Sequence, residues 1–518
     1  MEAPMRWKFS SGSERKAEER VAAKLRAASK FYRFLFEVRG ELFDDEFQDT
    51  LIAAYDPRGQ EPCPPALLAM VNLLQRYRGC GDRDAVDAAE NDRRWQLVLG
   101  VLGSDEAPFG QGSLVRFRER MAAHDLDKKL VARTIEIAKR TKKFGWKNLK
   151  VALDSSPLEG AGRVEDTWNL IGHAMAKVIG VVAKTAGLDA RVVVEGAGLT
   201  LLDGPSLKAA LDIDWSDPDE RHEALQRVIA EAELLEAWVR GQLKDEAQKP
   251  PVSDALTLLR RVVEQDIEPD PDGGGDRIRD GVAEDRVISV GDPEMRHGRK
   301  SKSKTIKGYK RHIVIANGFI LGTAVEPANR REHEPTGRLL DDARRHGRIA
   351  SAHFDRGYLA APEIASLRND GVAIHSRAWR GTKPGLFGKD HFQICLAAGV
   401  IACPAGKIAN IGKSGCASFR EDDCRRCSLK QHCTDAKRRS VHVHENEALL
   451  IELRAAQASP EGRAAYRERT AVEHRLARVD VVQGKRARYR GVRKNELDVN
   501  RAVAVVNLQE IARLRRAA

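Results

Sequence analysis

Hydrophobic residues recur every three or four positions through most of residues 1–145, which is the spacing of a helix with one buried face. The segments that follow this spacing include "SERKAEERVAAKLRAASKFYRFLFEV" and "GSLVRFRERMAAHDLDKKLVARTIEIAKRTKKFG". Between them, "CPPALLAMVNLLQRYRGCG" begins with prolines and closes on glycine, a pattern typical of a capped helix. The spacing therefore predicts an all-helical N-terminal domain over residues 1–145.

After residue 145 the spacing changes to an alternation that is typical of β-strands. In "KNLKVALDSSPLEG" the alternation stops at Asp154, so we predict that a strand ends at this acid. Further strands are predicted in "DRVISVGD", "YKRHIVIA", "GFILGTAVEP", "IASAHFD" and "VAIHSR", and helices in "EHEPTGRLLDDARRHG" and "APEIASLRNDG". Strands with interleaved helices indicate an α/β domain over residues 146–518.

Two insertions interrupt this α/β domain. The first, about 166–285, has helical spacing and closes on "DIEPDPDGGGDRIRDG", whose composition is typical of a linker. The second, about 380–440, is rich in glycine and cysteine. Helical spacing then resumes in "NEALLIELRAAQAS", "YRERTAVEHRLARV" and "NRAVAVVNLQEIARLRR".

The charges are segregated along the chain, which has 88 Lys and Arg against 76 Asp and Glu and a net charge of +12. Met295–Arg311 contains basic residues and no acid, Leu211–Trp238 is acidic, and the tail from Glu461 to Arg516 is basic. Such segregation is expected of a nucleic-acid binder. Because no apolar run is long enough to span a bilayer or to form a signal core, we expect a cytoplasmic protein with no membrane partner.

Three acids are candidates for metal-dependent chemistry. Asp154 and Asp355 each stand at the end of a predicted strand, and Glu473 lies on a predicted helix with Tyr466 and Arg469 on the same face. Taken singly, each acid fits a turn or a solvated surface better than it fits a functional site. Taken together, they predict a site for Mg²⁺ or Mn²⁺, since such ions relieve repulsion among carboxylates and can drive an in-line phosphoryl displacement.

These segments resemble the bacterial insertion-sequence transposases of the DDE type, which have an RNase-H-like catalytic domain. The resemblance lies in "ALDSSPLEG" with "EDTWNLI", "VGDPEMRHGRKSKSKTIKGYKRHIVI", "AHFDRGY", and "YRERTAVEHRLARVD" with "RARYRG". In addition, "PPALLAMVNLLQRYRGCGDRDAVDAAENDRRWQLVLG" with "GSLVRFRERM" is similar to the helical DNA-binding region of that family. The resemblance implies an RNase-H-like mixed sheet that carries the two insertions, preceded by a DNA-binding helical domain.

The resemblance also implies a function. Asp154, Asp355 and Glu473 would be the catalytic metal ligands for cleavage at transposon ends, and the freed 3′-hydroxyl would attack target DNA. The implied partners are double-stranded DNA, as transposon ends and target, and a second copy of the chain in the DNA complex. The implied location is the bacterial cytoplasm, in association with the nucleoid. DNA contacts are expected from Tyr466 and Arg469 of the signature and from the basic side chains Arg296, Arg299, Lys300, Lys307, Lys310, Arg356, Arg488 and Arg490.

One position departs from the family pattern. Related signatures often carry a lysine seven residues after the glutamate, and here that position is Asp480, with Arg475 and Arg478 nearby and Lys485 the nearest lysine. Two other functions therefore stay open: a metal-dependent nuclease on the same fold, and an inactive transposase-derived DNA-binding regulator. Arg356 likewise either orients substrate or pairs with a surface acid.

Six of the eight cysteines fall between Cys395 and Cys433. Four of them, Cys403, Cys424, Cys427 and Cys433, include one C-x2-C pair and can supply four thiolates to a structural Zn²⁺. The related transposases carry a similar cluster at this place. The alternative is a set of reduced, partly buried thiols, because stable disulfides are not expected inside a cell.

Overall fold

A computed structural model describes residues 5–56, 62–202, 206–299, 303–378 and 385–517 of the chain. Its N-terminal part is helical, as the spacing predicted. The helices are α1 (Gly12–Ala23), α2 (Lys30–Leu42), α3 (Asp45–Ile52), α4 (Pro65–Arg78), α5 (Asp82–Asn91), α6 (Arg93–Leu99), α7 (Gln111–Ala123) and α8 (Leu126–Thr141). Helix α4 stops at Gly79, which adopts the left-handed conformation expected of the closing glycine.

Strands and helices are mixed in the rest of the chain. The strands are β1 (Asn148–Glu159), β2 (Ile267–Pro269), β3 (Asp276–Ile278), β4 (Arg296–Arg299), β5 (Thr305–Ala316), β6 (Phe319–Pro327), β7 (Arg348–His353), β8 (Ala373–His375), β9 (Gln393–Cys395), β10 (Val400–Ala402), β11 (Ile408–Asn410), β12 (Cys416–Ser418) and β13 (Ser440–His442). The helices are α9 (Thr167–Ala186), α10 (Ala190–Gly196), α11 (Leu207–Leu211), α12 (Pro218–Leu243), α13 (Val252–Asp266), α14 (Thr336–Arg344), α15 (Glu363–Asn369), α16 (Glu421–Arg425), α17 (Glu447–Ala458), α18 (Pro460–Arg467), α19 (Thr470–Gln483) and α20 (Val492–Ala517). The chain is thus a mixed α/β protein, as predicted.

The main sheet has six strands in the order β4-β5-β1-β7-β8, with β6 also pairing with β5. Strand β5 runs antiparallel to β1 and β6, whereas β7 runs parallel to both β1 and β8. The second half of β5, "HIVIA", is buried and rich in β-branched residues, which suits a strand paired on both edges. Strand β1 therefore lies between an antiparallel and a parallel neighbour, in the middle of the sheet.

The helical insertion has a hydrophobic core of its own, formed mainly by α9, α12 and α13. The segment expected to be a linker instead forms the hairpin β2–β3, whose turn contains three glycines at positive φ. The strand predicted in "DRVISVGD" was wrong. Val287–Val290 is buried, but its backbone hydrogen bonds go to Glu165 and to the side chains of Gln265 and Lys177, so no ladder forms.

The C-terminal helices connect the two parts of the protein. Helix α20 packs against α4, α8 and β6, and one continuous hydrophobic core includes the N-terminal helices and the main sheet. The cysteine-rich segment has only a small core, centred on Phe392, Ile401 and Phe419. None of the helices in the described ranges is long and apolar enough to cross a membrane.

Candidate active site

The parallel pairing of β1 with β7 brings the two aspartates together. Ala152 lies opposite His353 in this pairing. Asp154 follows Ala152 by two residues and Asp355 follows His353 by two residues, so the two aspartates come level with each other. The prediction that a strand ends at Asp154 was wrong, because β1 continues to Glu159 on its pairing with β5. It is β7 that ends, at His353, and its end opens the sheet beside Asp154.

Each aspartate is fixed by the peptide that follows it. The backbone N–H of Ser155 donates to Asp154 Oδ1 at 2.8 Å, and the backbone N–H of Arg356 donates to Asp355 Oδ1 at 2.8 Å. Asp355 caps a short 3₁₀ helix, Arg356–Ala360, so it is a turn residue as well as an acid of the site. Each carboxylate keeps its other oxygen free of these backbone bonds.

The third acid is brought in by helix α19, which packs on β1. The helix predicted to run through "YRERTAVEHRLARV" is divided: Tyr466 ends up on α18, Arg469 caps the start of α19, and Glu473 lies in the first turn of α19. The shared helical face predicted for these three residues was therefore wrong. Asp154, Asp355 and Glu473 nevertheless line a single cleft of about 390 Å³.

Arg469 connects the first acid with the third. Its Nη1 donates to Asp154 Oδ2 at 3.0 Å, and its Nη2 donates to Glu473 Oε1 at 2.5 Å. Burial raises the pKa of Asp154, Arg469 opposes this effect, and the charges of Asp355 and Glu473 add to it. The carboxylates thus repel one another, and positive charge between them is favourable.

The donor set suits a hard divalent cation, because it consists of carboxylate oxygens. Within the described residues, no three His, Cys, Asp or Glu side chains are close enough together to hold an ion as they stand. Arg469 provides the positive charge between Asp154 and Glu473 in this arrangement. The residues therefore fit Mg²⁺ or Mn²⁺ by their chemistry, and binding would require the side chains to draw closer.

Two segments of the chain match known protein families. Residues 402–512 match the family described as Transposase DDE domain, and residues 16–120 match the family described as Transposase domain (DUF772). Together these matches indicate an insertion-sequence DDE transposase. No curated protein and no solved structure matches it. Glu473 of this transposase lies inside the first matched segment, whereas Asp154 and Asp355 lie outside both.

The basic residues predicted to contact DNA fall into two groups in the transposase. Arg299 and Lys310 line the cleft with the acids, and Arg356 is half-buried next to Asp355. Lys310 Nζ donates to the carbonyl of Arg330 at 2.7 Å, and burial lowers its pKa. These side chains place positive charge at the edge of the acidic cleft.

The other predicted DNA contacts in the described residues do not line the cleft. Arg296 is buried and bound to Asp285, with 2.8 Å between Nε and Oδ1. Tyr466 lies in an adjoining cavity, where the guanidinium of Arg377 is 4.8 Å from its ring centroid. Three exposed residues are on other parts of the surface: Lys307, Arg488 and Arg490. Lys300 is outside the described residues.

Asp480, the residue at the usual lysine position, has a structural partner in the transposase. Arg311 on β5 is fully buried, and its guanidinium pairs with Asp480 and donates to Ser156 Oγ at 2.7 Å and to the carbonyl of Gly484 at 3.1 Å. A lysine at position 480 would confront this buried arginine with a second positive charge. The acid is thus explained by its partner on β5, which is 169 residues away.

Reasoning from the sequence missed one acid of the cleft, Glu332. It follows β6 in the segment "NRREHEP", where a mixture of charges gives no signal of a site. Its Oε1 accepts a hydrogen bond from Ser155 Oγ at 3.1 Å. Only the folded chain brings Glu332 next to the residue that follows Asp154.

The four cysteines predicted to bind zinc line one cavity, also of about 390 Å³. The backbone N–H of Lys407 donates to Cys403 Sγ at 3.3 Å, and that of Arg439 donates to Cys424 Sγ at 3.5 Å. Burial raises the pKa of Cys433, Arg439 opposes the rise, and the other three thiols of the set contribute to it. The thiols are thus neighbours, although none of the described groups is compact enough to hold an ion as placed.

Proposed function

We propose that this protein catalyses metal-dependent cleavage at transposon ends and strand transfer into target DNA. The observation that carries the proposal is the convergence of Asp154, Asp355 and Glu473 on one cleft, from positions far apart in the sequence. Structural ion pairs also cluster, but this cleft is lined by five carboxylates and only three basic side chains, so its own cations do not match its acids.

Asp154, Asp355 and Glu473 would hold Mg²⁺ or Mn²⁺. Bound metal would supply the charge that activates a hydroxyl nucleophile and stabilises the leaving oxygen. Arg299 and Lys310 would attract DNA phosphates to the edge of the cleft. The backbone bonds from Ser155 and Arg356 would keep one oxygen of each aspartate oriented during the reaction.

We also propose an RNase-H-like catalytic domain over residues 146–518 and a DNA-binding helical domain over residues 1–145. The mixed sheet supports the first proposal, because its central strand carries one acid and the parallel neighbour leads directly to the second. The match of residues 16–120 to a transposase family supports the second proposal. In the DNA complex we expect a homodimer, since two transposon ends must be processed together.

Zinc binding by the cysteine cluster belongs to the same proposal. Cys403, Cys424, Cys427 and Cys433 line one cavity, and two of their sulfurs accept backbone N–H bonds, which stabilise thiolates. The cysteine-rich segment has few buried apolar side chains to hold it together. A structural Zn²⁺ would stabilise its fold.

A strand-transfer assay tests the function against its alternatives. DNA carrying the terminal sequences of the element, either intact or pre-cleaved, is incubated with the full-length protein, target DNA and Mg²⁺ or Mn²⁺. We expect nicked ends from the intact DNA and joined product from the pre-cleaved DNA. Cleavage without joining would instead indicate a nuclease, and binding without chemistry would indicate a DNA-binding regulator.

A further inference from the structure

The loop between β6 and α14 places Glu332 against the segment that carries the first aspartate. Glu332 Oε1 accepts from Ser155 Oγ at 3.1 Å, and the backbone N–H of Ser155 donates to Asp154 Oδ1 at 2.8 Å. Ser155 is therefore held on one side by Glu332 and itself holds Asp154. A displacement of Glu332 would be transmitted to the first acid through a single residue.

The Glu332 side chain also packs against the segment that carries the second aspartate. A Cβ added to Gly357, two residues after Asp355, would lie 2.1 Å from Glu332 Oε2, far inside van der Waals contact. Gly357 does not adopt a positive φ, so its backbone would accept an alanine. The glycine is needed for the space that Glu332 occupies.

Backbone pairing does not fix the distance between the two aspartates. The β1–β7 ladder ends at the pair Ala152 and His353, before either acid is reached. Beneath the cleft, Tyr358 is fully buried and its hydroxyl lies 2.7 Å from Nδ1 of His312, which anchors the far side of the Asp355 segment to β5. The Tyr358 side chain also hydrogen-bonds with Ser155 on β1, and Glu332 adds a second contact between the two segments on the cleft side.

The charge of Glu332 is balanced within the cleft. Lys310 lies close enough for Glu332 to raise its pKa, against the lowering that burial causes. Lys310 therefore offsets part of the negative charge that Glu332 adds beside Asp154 and Asp355. A basic neighbour suits a carboxylate whose role is to hold other acids in position.

We propose that Glu332 is a positioning residue that sets the separation of Asp154 and Asp355 through Ser155 and Gly357. The inference rests on the proposed metal-dependent function, because the separation of two aspartates matters most if they share a cation. Groups that orient metal ligands typically change metal affinity by about 10-fold to 100-fold when removed. Glu332 should therefore alter metal affinity more than it alters folding.

Metal affinity is measured on the full-length protein without DNA, by titration with Mn²⁺ and the electron paramagnetic resonance signal of the free ion. Glu332→Ala is expected to weaken Mn²⁺ binding about 10-fold. Glu332→Gln keeps an oxygen that accepts from Ser155 Oγ, so its loss should be less than about threefold. Glu334→Ala is the matched control, since Glu334 lies in the same loop but its carboxylate pairs with Arg330 and accepts from the backbone N–H of Arg331.

Two further variants disturb the contacts of Glu332 by changing its neighbours Ser155 and Gly357. Ser155→Ala removes the hydrogen bond, and Gly357→Ala displaces the Glu332 carboxylate; both are expected to weaken Mn²⁺ binding as Glu332→Ala does. The double variant Glu332→Ala with Gly357→Ala should bind Mn²⁺ no worse than either single variant, because both changes remove one contact. The 3.1 Å approach to Glu332 Cβ that remains is relieved by a small shift. Additive losses would overturn the proposal.

Asp355→Ala in the same titration separates the two hypotheses. If it binds Mn²⁺ as the wild type does, the proposed metal site fails, whatever Glu332 does. If Asp355→Ala loses affinity while Glu332→Ala and Ser155→Ala do not, the metal site stands and the role of Glu332 is overturned. Loss in all three, with an unchanged Glu334→Ala control and unchanged melting temperatures, supports both.

Discussion

Arg469 Nη1 lies 3.0 Å from Asp154 Oδ2, while Nη2 of the same guanidinium contacts Glu473. One side chain thus bridges an acid of the central strand and an acid of a helix more than 300 residues later. The bridge offsets the burial of Asp154 and the charges of the other two acids only in part, because the pKa of Asp154 stays raised. The cleft is therefore built at some cost to the stability of the metal-free protein.

Asp154→Asn should raise the melting temperature of the metal-free protein by a few degrees and abolish strand transfer. A carboxyl whose pKa is raised by folding contributes stability below its unfolded pKa and loses it as the pH rises through the folded pKa. The advantage of the asparagine should thus be present at neutral pH and vanish below about pH 3. Calorimetry across this pH range tests the claim, and a variant less stable than wild type at pH 7 would refute it.

Asp480→Lys, which restores the residue usual in the family, should destabilise this protein by about 3–5 kcal/mol. The reason is that Arg311 is fully buried and would lose its counter-ion while gaining a second cation as a neighbour. Urea unfolding followed by circular dichroism measures the effect. Asp341→Lys is the control, since that aspartate is exposed on α14. Equal stability of the two variants would show that Asp480 does not have this role.

Arg299→Ala should weaken binding of DNA ends and lower the slope of log affinity against log salt by about 1. Arg299 is exposed and lines the cleft, so it can lie near a phosphate of the bound strand. Arg345→Ala, which removes an exposed arginine just after α14, should leave the slope unchanged. Fluorescence anisotropy at several salt concentrations gives both slopes; identical slopes for wild type and Arg299→Ala would argue against DNA at this edge.

Purified protein should contain about one Zn²⁺ per chain by elemental analysis. Cys427→Ser should lose this zinc, because it removes one of four thiolates of the cavity. Cys395→Ser should retain it, since Cys395 is exposed and does not line the cavity. If the purified protein contains no zinc, or if both variants lose zinc equally, the alternative of reduced, partly buried thiols would be favoured.

The sequence predicted the individual helices and strands better than it predicted the connections and pairings between them. Periodicity identified the N-terminal helices and the strands β5, β6 and β7, because each of these buries one regular face or edge. It missed the break at Arg469, where helical propensity continues but the chain turns between α18 and α19. It also placed a strand at Val287–Val290, where apolar residues are buried without a partner strand.

For the site as well, local patterns were predicted and contacts between distant segments were not. Asp154, Asp355 and Glu473 were selected from local patterns and a family resemblance, and the structure places them on one cleft. Contacts between distant segments have no local signal, so the pairing of Asp480 with Arg311 and the position of Glu332 beside Ser155 were not predicted. Both depend on the register of β1 and β5, which alternation alone does not specify.

The most direct test of the central claim is whether Asp355 touches a catalytic metal. Asp355→Cys replaces a carboxylate by a thiolate, a softer ligand that Mn²⁺ accepts more readily than Mg²⁺ does. We predict that this variant binds transposon ends, gives no joined product with Mg²⁺ and regains part of its strand transfer with Mn²⁺, while Asp355→Ala is inactive with both ions. Joined product from Asp355→Ala, or full activity of Asp355→Cys with Mg²⁺, would contradict the assignment.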